Sequence, residues 1–337
     1  MPTDTIHKDI AKLISRRLVF VMGKGGTGKT TLSSALAFAA QEAGKRVLLV
    51  ETEEGTAMGR IFGKTDLDET PVQVSAGISI ARVKPKAEMT AYTQFHVKSG
   101  FIAKRITGSR LFDYLATATP GLKEIMTLGR LWRWESDRQG DGRYIYDIVI
   151  VDAPATGHVL NLLRLPKTLI NMIRTGPIVS QVKRLDALLK DTSRTALALV
   201  SLPEELPVKE SVELMSIAND EINMPVQAFF LNGIYPDLSA TCKPQAACAI
   251  IFSDNPGGLY DSVSNRRAMG AVLAAARHQH TWRGVHEKYI GHVNAVASCP
   301  VIEIPFFFTN DMTLHEIRRI AKNWRTPMEN QGDVPYA

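Results

Sequence analysis

The chain has 337 residues, of which 45% are hydrophobic and 22% are charged, and its formal net charge is +6. This composition is typical of a globular protein with a buried core and excludes a disordered chain. The sequence has no apolar run of the ~18 residues that a membrane span needs, no signal-peptide pattern and no dense lysine and arginine run of the kind that nucleic-acid grooves use. We therefore expect a cytoplasmic protein that does not bind nucleic acid.

The cysteines predict neither a disulfide framework nor a zinc site. There are three, at Cys242, Cys248 and Cys299, and an odd number cannot pair completely. Cys242 and Cys248 are separated by more residues than either half of a zinc clip usually allows. We therefore expect no zinc in this protein.

Short apolar runs rich in β-branched residues predict the strands. In chain order they are Leu18–Met22, Val47–Glu51, Ile148–Asp152, Ala196–Leu202, Val226–Leu231 and Val301–Ile304. Between the first two, apolar residues recur at helical spacing up to Gly44, which is placed as a helix C-cap. Continuous apolar strands that alternate with helices are typical of a parallel sheet covered on both faces. The predicted fold class is therefore α/β.

A glycine-rich loop follows the first predicted strand. It reads Gly23-Lys24-Gly25-Gly26-Thr27-Gly28-Lys29-Thr30 and is followed by Thr31. The pattern G-x-x-x-x-G-K-[ST] between a strand and a helix is that of a phosphate-binding loop. In such a loop the glycines let backbone N–H groups reach phosphate oxygens, Lys29 contacts the terminal phosphates, and the Thr30 hydroxyl is a ligand of Mg²⁺. Residues 23–31 therefore predict a nucleotide site with Mg²⁺.

The same glycines also fit a dinucleotide-binding fingerprint. Gly23, Gly25 and Gly28 have the required spacing, and Glu51 follows about 20 residues later, where an acid that binds ribose would lie. That fingerprint does not need the Lys-Thr pair after its last glycine, whereas a phosphate-hydrolysing loop does. The pair favours the hydrolase over a dehydrogenase.

Acidic residues at the ends of two strands supply the other groups that hydrolysis needs. Glu51, Glu53 and Glu54 are all candidates to orient the attacking water, and side-chain alternation lets only one or two of them face the site. Asp152 ends the third strand and is placed to hold Mg²⁺ through water, although a helix cap is the alternative role. Thr156 and Gly157 follow in a turn whose N–H groups could contact the γ-phosphate as a switch.

Two amphipathic tracts interrupt the alternation of strands and helices. They span residues 85–143 and 160–190, and their apolar residues recur at helical spacing. These faces could pack on the sheet or a partner subunit, or they could form an apolar surface for a ligand. With no repeat and no Gly/Ser linker, we expect one domain over residues 1–337 in which the two tracts form a helical subdomain that binds a client or partner.

Several segments resemble one family of ATPases. The glycine loop is similar to the deviant Walker A sequence G-K-G-G-x-G-K-[ST], and "VDAPATGHVLNLLRLP" is similar to the second switch D-[TS]-A-P-T-G-H, with Ala155 as one additional small residue. The segments "TPGLKEIMTL", "PEELPVKESVEL", "FFLNGIYP" and "IPFFFTND" extend the similarity over almost the whole chain. These motifs resemble the ArsA-type ATPases, which include the arsenite-pump ATPase and the Get/TRC ATPase that targets tail-anchored membrane proteins.

The resemblance implies a P-loop fold, ATP hydrolysis with Mg²⁺, and a homodimer. It implies that Lys24 crosses the two-fold interface to the phosphates of the neighbouring subunit, as a catalytic counter-charge beside Lys29. Glu53 falls on the position of the acid that orients water. The roles implied for the remaining residues are the second switch at Asp152, Thr156, Gly157 and His158, adenine recognition by Asn232, and flanking of the base by Pro305, Phe306 and the loop to Thr309.

The sequence also departs from the family pattern. Where the first switch usually reads S-T-D-P-A-H, residues 51–56 read E-T-E-E-G-T, so Pro and His are missing and the acid is one methylene longer. The C-x-x-C zinc pair of the eukaryotic targeting ATPases is absent, and no cysteine precedes Cys242, which weakens the arsenite interpretation.

Three roles remain open at this stage. The first is a nucleotide-driven switch that binds a hydrophobic client such as a membrane-protein segment, with transient recruitment to a membrane surface. The second is the catalytic subunit of an arsenite or oxyanion efflux pump. The third is a regulatory ATPase that resembles the partitioning and septum-positioning proteins.

Overall fold

Eight strands form one sheet in the computed structural model, which describes residues 7–52, 55, 57–96, 107, 109, 121–172, 177–224, 226–237, 263–309 and 311–324. In chain order they are β1 (Leu18–Met22), β2 (Val47–Glu51), β3 (Val72–Ser75), β4 (Ile78–Arg82), β5 (Ile148–Asp152), β6 (Thr195–Ser201), β7 (Val226–Ile234) and β8 (Val301–Pro305). The order across the sheet is β3-β4-β2-β5-β1-β6-β7-β8. Every neighbouring pair is parallel except β3 and β4.

Helices cover both faces of this sheet. They are α1 (Lys8–Ile14), α2 (Lys29–Glu42), α3 (Ala57–Phe62), α4 (Pro85–His96), α5 (Leu122–Ser136), α6 (Thr156–Met172), α7 (Pro177–Lys190), α8 (Glu205–Ile217), α9 (Val263–Val296) and α10 (Leu314–Asn323), and a short π-helix, Ala218–Ile222, follows α8. The predicted α/β class is confirmed. All six predicted strands are present, with the predicted bounds or with ends shifted by a few residues.

Side-chain alternation divides the core into two layers. In β1, Phe20 belongs to the layer shared with α5, α6, α7 and α8, whereas Val19 and Val21 belong to the layer shared with α1, α2 and α10. All three side chains are at most 1% exposed. Burying an apolar side chain of this size stabilises the fold by about 1.5–3 kcal/mol. Burial on both faces is therefore the physical reason for the continuous apolar strands.

The edge hairpin of β3 and β4 is the part of the sheet that the sequence pattern did not predict. It turns at Gly77, whose φ of 80° favours glycine. Val72 is 36% exposed because β3 lies at the edge, and Ser79 and Arg82 interrupt the apolar run of β4. Neither strand therefore has the continuous apolar pattern of the central strands.

Three helices of the two amphipathic tracts, α5, α6 and α7, pack on the sheet, whereas α4 packs on α5. The tract predicted over 85–143 contains the helices α4 and α5. After α5, residues 137–147 form a turn with a bridge between Arg138 and Tyr144. Most of residues 97–120 lie outside the described residues. The core residues contributed by α5, α6 and α7 are Leu128, Leu131, Trp134, Val159, Leu162, Leu163, Leu185, Leu188 and Leu189. These side chains therefore stabilise the fold, and a client-binding role for the tracts stays a prediction.

The longest helix, α9, was not predicted. It has 34 residues, and from Gly270 onward most of its side chains are exposed, with Leu273, His286, Ile290 and Val293 as buried exceptions. Because the helix buries so few residues, its sequence lacks the regular apolar stripe by which helices are usually recognised. None of the helices within the described ranges is apolar enough over a sufficient length to cross a bilayer.

Glu135 fixes the amino-terminal ends of two central strands. Its carboxylate is fully buried and accepts hydrogen bonds from Arg17 at 2.8 Å and from Arg194 at 2.5 Å, which precede β1 and β6. Burial alone would raise the pKa of Glu135, but the hydrogen bonds from Arg194 and Arg17 outweigh it and lower that pKa. The carboxylate is therefore ionised and links α5 to both strands.

Candidate active site

The candidate site lies where the carboxyl ends of the parallel strands meet. β1 is central in the sheet, with β5 on one side and β6 on the other. The glycine loop, residues 23–28, connects β1 to the first turn of α2. Ligands of open α/β sheets bind at this edge, so the topology brings the predicted motif residues to one place.

At Gly23 the loop packs against the neighbouring strand too closely for a side chain. A Cβ atom on Gly23 would lie 2.1 Å from the carbonyl oxygen of Val200 in β6. Gly28 has a φ of 93° and occupies the N-cap position of α2, where no side chain caps the helix. The first N–H groups of a helix have no partner within it, so this end of α2 presents backbone donors to an anion.

Lys29 folds back over the glycine loop. Its ammonium group donates hydrogen bonds to the carbonyl oxygens of Gly23 and Lys24, each at 3.1 Å. The positive charge therefore lies inside the loop, beside the N-terminus of α2, as expected for a lysine that binds phosphate.

Thr30 and Asp152 lie in direct contact. The Thr30 hydroxyl donates a hydrogen bond of 2.6 Å to the Asp152 carboxylate, which ends β5 and is 7% exposed. The Thr52 hydroxyl donates to the backbone carbonyl of Asp152 at 2.8 Å and fixes the end of β5 beside that of β2. The structure thus brings together the two residues predicted as Mg²⁺ ligands.

These residues line a cleft of about 340 Å³. Its walls are formed by Gly26, Gly28, Lys29, Thr30, Thr31, Glu51, Gly55, Ala57, Asp152 and Ala153. Backbone N–H groups and an ammonium suit a polyphosphate, while a hydroxyl beside a carboxylate suits a hard cation with oxygen ligands. The groups present therefore fit a triphosphate with Mg²⁺.

Glu51 is held by an ion pair that the sequence did not predict. Arg82, at the end of β4, donates from Nε to the Glu51 carboxylate at 2.8 Å and also donates to the carbonyl oxygen of Gly55. Glu51 is 5% exposed. A guanidinium thus already occupies one oxygen of this carboxylate, which disfavours Glu51 as the residue that orients water. The other two candidates, Glu53 and Glu54, lie outside the described residues.

The segment after Asp152 enters a helix sooner than predicted. Thr156 and Gly157 were expected to lie in a turn, but together with His158 they form the first turn of α6. The glycine is exposed. The first N–H groups of a helix lack intrahelical partners, so the predicted ability to donate to a phosphate is compatible with this conformation.

Lys24 pairs with an acid in its own chain. Its ammonium lies 2.7 Å from the carboxylate of Glu210 in α8, and the two side chains are 36% and 38% exposed. An ion pair with this exposure contributes at most about 1 kcal/mol, so a stronger anion can displace it. The sequence analysis did not assign a role to Glu210, although this residue lies within the segment "PEELPVKESVEL".

The residues predicted to contact adenine lie at the ends of β7 and β8. Asn232 donates through Nδ2 to the carbonyl oxygen of Thr27 at 2.9 Å, so its amide contacts the glycine loop directly. Pro305 ends β8, and the N–H of Phe306 donates to the carbonyl of Ile234 at 2.8 Å. The Phe306 side chain is 39% exposed. The structure therefore places Asn232 against the glycine loop, with Pro305 and Phe306 at the neighbouring strand end.

An aromatic cluster next to Phe306 was missed from the sequence. The ring of Tyr235 is stacked on His286 with centroids 5.1 Å apart and lies 4.9 Å from the ring of Phe306. His286 accepts a hydrogen bond from the backbone N–H of Tyr235 at 3.2 Å. Burial lowers the pKa of His286, and the charge of Arg283 lowers it further. The neutral imidazole therefore anchors the chain just after β7.

With this geometry in place, comparison with known proteins decides the family. The family model for anion-transporting ATPases, ArsA_ATPase, matches residues 16–177 and 174–250. The chain belongs to this ATPase family. The match spans the glycine loop, Asp152, Glu210 and Asn232, so the main elements of the candidate site lie within the family region.

Individual relatives agree with this assignment. ATPase BagA of Mycobacterium tuberculosis is 27% identical over 240 residues, which are 70% of this chain and 69% of the relative. A protein of Halobacterium salinarum, named provisionally as an arsenical pump-driving ATPase, is 26% identical over 69% of this chain and 38% of its own length. ATPase GET3 of Kluyveromyces lactis is 30% identical over 53% of this chain and 56% of its own.

The hydrogen bond to His286 predicts a pH-dependent stability. Because the folded-state pKa of this histidine is lowered from 6.5, the unfolded chain takes up the proton first as the pH falls. The free energy of unfolding should therefore decrease below pH 6.5, with a slope of up to about 1.4 kcal/mol per pH unit from this group. Urea unfolding between pH 7.5 and 5 measures this slope.

The variant His286→Asn keeps a hydrogen-bond acceptor but cannot titrate, so its slope should be flatter than that of the wild type. His315→Asn, at an exposed position in α10, is the matched control and should retain the wild-type slope. Equal slopes for His286→Asn and the wild type would contradict the assignment.

Proposed function

We propose that this chain is a Mg²⁺-dependent ATPase whose turnover occurs in the cleft at the carboxyl end of the sheet. The observation that carries the proposal is the contact of Thr30 with Asp152 at 2.6 Å, directly beside Lys29 and the N-terminus of α2. Membership of an ATPase family supports it. Residues 23–31 bind the phosphates, and Thr30 and Asp152 hold the cation.

Each residue has a distinct part in the proposed reaction. Lys29 exchanges the loop carbonyls for phosphate oxygens and stabilises negative charge on the terminal phosphate. Bound Mg²⁺ supplies further neutralisation of the β- and γ-phosphate charge. Glu53 orients the attacking water, and the first N–H groups of α6, at Thr156, Gly157 and His158, respond to the γ-phosphate.

Replacement of Lys29 tests the site. In Lys29→Ala the site loses the ammonium group that donates to the loop carbonyls of Gly23 and Lys24. Binding of ATP should therefore be undetectable at concentrations that saturate the wild type, and turnover should be lost. Isothermal titration calorimetry and phosphate release measure the two effects. Lys123→Ala, an exposed change on α5, should have wild-type binding and turnover, and full activity in Lys29→Ala would refute the site.

The proposed dimer places Lys24 on the partner's phosphates. Within one chain, the weak ion pair to Glu210 holds this ammonium beside the glycine loop, where it is partly exposed and displaceable. On pairing, Lys24 would leave Glu210 and stabilise the charge that develops in the opposite cleft, as an arginine finger does. This role predicts a loss in turnover that exceeds the loss in affinity.

A mixing experiment tests whether Lys24 acts across the dimer. Lys24→Ala lacks the donated lysine, and Glu53→Gln lacks the acid that orients water, so each homodimer should lose turnover by about 100-fold or more. A mixed dimer has one intact site, because the Glu53→Gln subunit donates its Lys24 to the complete cleft of the other. Random pairing makes about half of the dimers mixed, so turnover should recover to about a quarter of wild type.

The control mixture combines Lys24→Ala with the double variant Lys24→Ala/Glu53→Gln, in which no site is complete, and it should stay inactive. No recovery in the first mixture, with mixed dimers demonstrated by native mass spectrometry, would contradict the role in trans.

The proposed partner is a hydrophobic client, as the family resemblance implies. The described apolar residues of α5, α6 and α7 are in the core, whereas Met172 at the end of α6 is 74% exposed. A client surface would therefore be formed by those residues of the tracts at 85–143 and 160–190 that do not belong to the core. Arsenite efflux and a regulatory role of the partitioning type are the alternatives.

A defined client tests this part of the proposal. Asp152→Asn should bind ATP without hydrolysing it, and this form should retain a small protein that carries a carboxyl-terminal transmembrane helix. The same protein with two lysines in that helix is the control and should not bind. Retention without dependence on ATP would contradict the client role, and turnover stimulated by arsenite would favour the pump.

A further inference from the structure

The side chain of Asn232 contacts the glycine loop at two adjacent residues. Nδ2 donates to the carbonyl oxygen of Thr27 at 2.9 Å. A Cβ atom on Gly28 would lie 2.3 Å from the same nitrogen and 3.4 Å from Cγ of Asn232. The amide therefore fills the space beside Gly28 and binds the residue before it.

Thr27 is a buried residue of the loop. It is 1% exposed, and its hydroxyl donates to the carbonyl oxygen of Lys24 at 2.9 Å. The same Lys24 carbonyl accepts a hydrogen bond from Lys29 at 3.1 Å. A chain of hydrogen bonds thus runs from Asn232 through Thr27 to the lysine that faces the phosphates.

Two strands support the loop from the same side. The carbonyl oxygen of Val200 in β6 lies against Gly23 at the start of the loop, and Asn232 in β7 lies against Thr27 and Gly28 at its end. The support from β6 is a backbone contact, whereas the support from β7 depends on one side chain. A substitution at position 232 can therefore test it.

We propose that Asn232 is a positioning residue for the phosphate loop, in addition to its predicted contact with the base. The inference rests on the proposed ATP site and deepens it. Because one N–H of the amide is directed to Thr27, the orientation of the amide is fixed, and Oδ1 and the second N–H are left for the base. Asn232 then contacts both the base of the ligand and the loop that binds its phosphates.

A ligand without a base separates the two roles. The probe is inorganic tripolyphosphate with Mg²⁺, compared with Mg-ATP by calorimetry. If Asn232 supports the loop, Asn232→Ala lowers the affinity for tripolyphosphate by about fivefold, which is the effect of one lost hydrogen bond. The same variant lowers the affinity for ATP by at least as much. Unchanged affinity for tripolyphosphate together with weaker ATP binding would overturn the inference.

Phe306→Ala is the matched control for the base. It removes a ring that is 39% exposed and packs on Tyr235 at the predicted base site, so ATP binding should weaken while tripolyphosphate binding stays at the wild-type value. If the wild-type chain bound neither ATP nor tripolyphosphate, the proposed ATPase function itself would be wrong. This outcome differs from the one that overturns only the role of Asn232, in which the wild type binds both ligands.

A double-variant cycle keeps the test independent of a general loss of stability. Gly28→Ala introduces a methyl group against Nδ2 of Asn232 and also strains a backbone whose φ is 93°, whereas Asn232→Ala removes the atoms with which the methyl group collides and leaves that strain. The loss of tripolyphosphate affinity caused by Gly28→Ala should therefore be smaller in the Asn232→Ala background. Additive losses would show that the contact does not operate, and circular dichroism melts confirm that each variant is folded.

Discussion

The close approach of the glycine loop to the ends of β6 and β7 is the constraint on which the site depends. At Gly23 the backbone of the loop touches the carbonyl of Val200, and at Gly28 it touches the amide of Asn232. A side chain at either position would push the loop away from the sheet. Lys29 and Thr30 would then lose their positions relative to Asp152, which belongs to a different strand. The glycines are therefore needed to place the loop as well as to expose its N–H groups.

The parallel sheet places residues from neighbouring strands beside the glycine loop and so completes the site. Glu51 and Asp152 are direct neighbours in register on β2 and β5, so the two strands end together beside the loop. The hydroxyl of Thr52 crosses from one strand end to the other. Arg82 adds β4 to this arrangement by holding both Glu51 and Gly55. In this chain, Pro and His are absent from the segment after β2, and the guanidinium contacts that segment at Gly55.

The central part of this structure could be predicted from sequence because its signals are strong and local. A strand buried on both faces must be apolar throughout, and a loop that approaches phosphate must contain glycine at set positions. These patterns identified β1, β2 and β5 with their bounds, and they predicted Thr30 and Asp152 as Mg²⁺ ligands, which the structure places in direct contact. The edge hairpin and α9 were missed because exposed elements need no regular apolar pattern.

The contacts of Lys24, Glu51 and Asn232 could not be predicted for a different reason. Each pairs with a residue far away in the chain: Glu210, Arg82 and Thr27, respectively. Such pairs depend on which strand ends lie side by side, and a single sequence does not state the order of strands. The resemblance to the ATPase family marked the segments that contain Glu210 and Asn232, but it carried no information on their partners within the chain.

The buried carboxylate of Glu135 has a mechanical consequence for the site. It holds Arg17 and Arg194, which immediately precede β1 and β6, and these are the two strands that meet at Gly23. The far ends of both strands are thus tied to one point on α5. The glycine loop therefore extends from two strands whose opposite ends are fixed to the same carboxylate, while α6 and α8 begin on the loop's own side of the sheet.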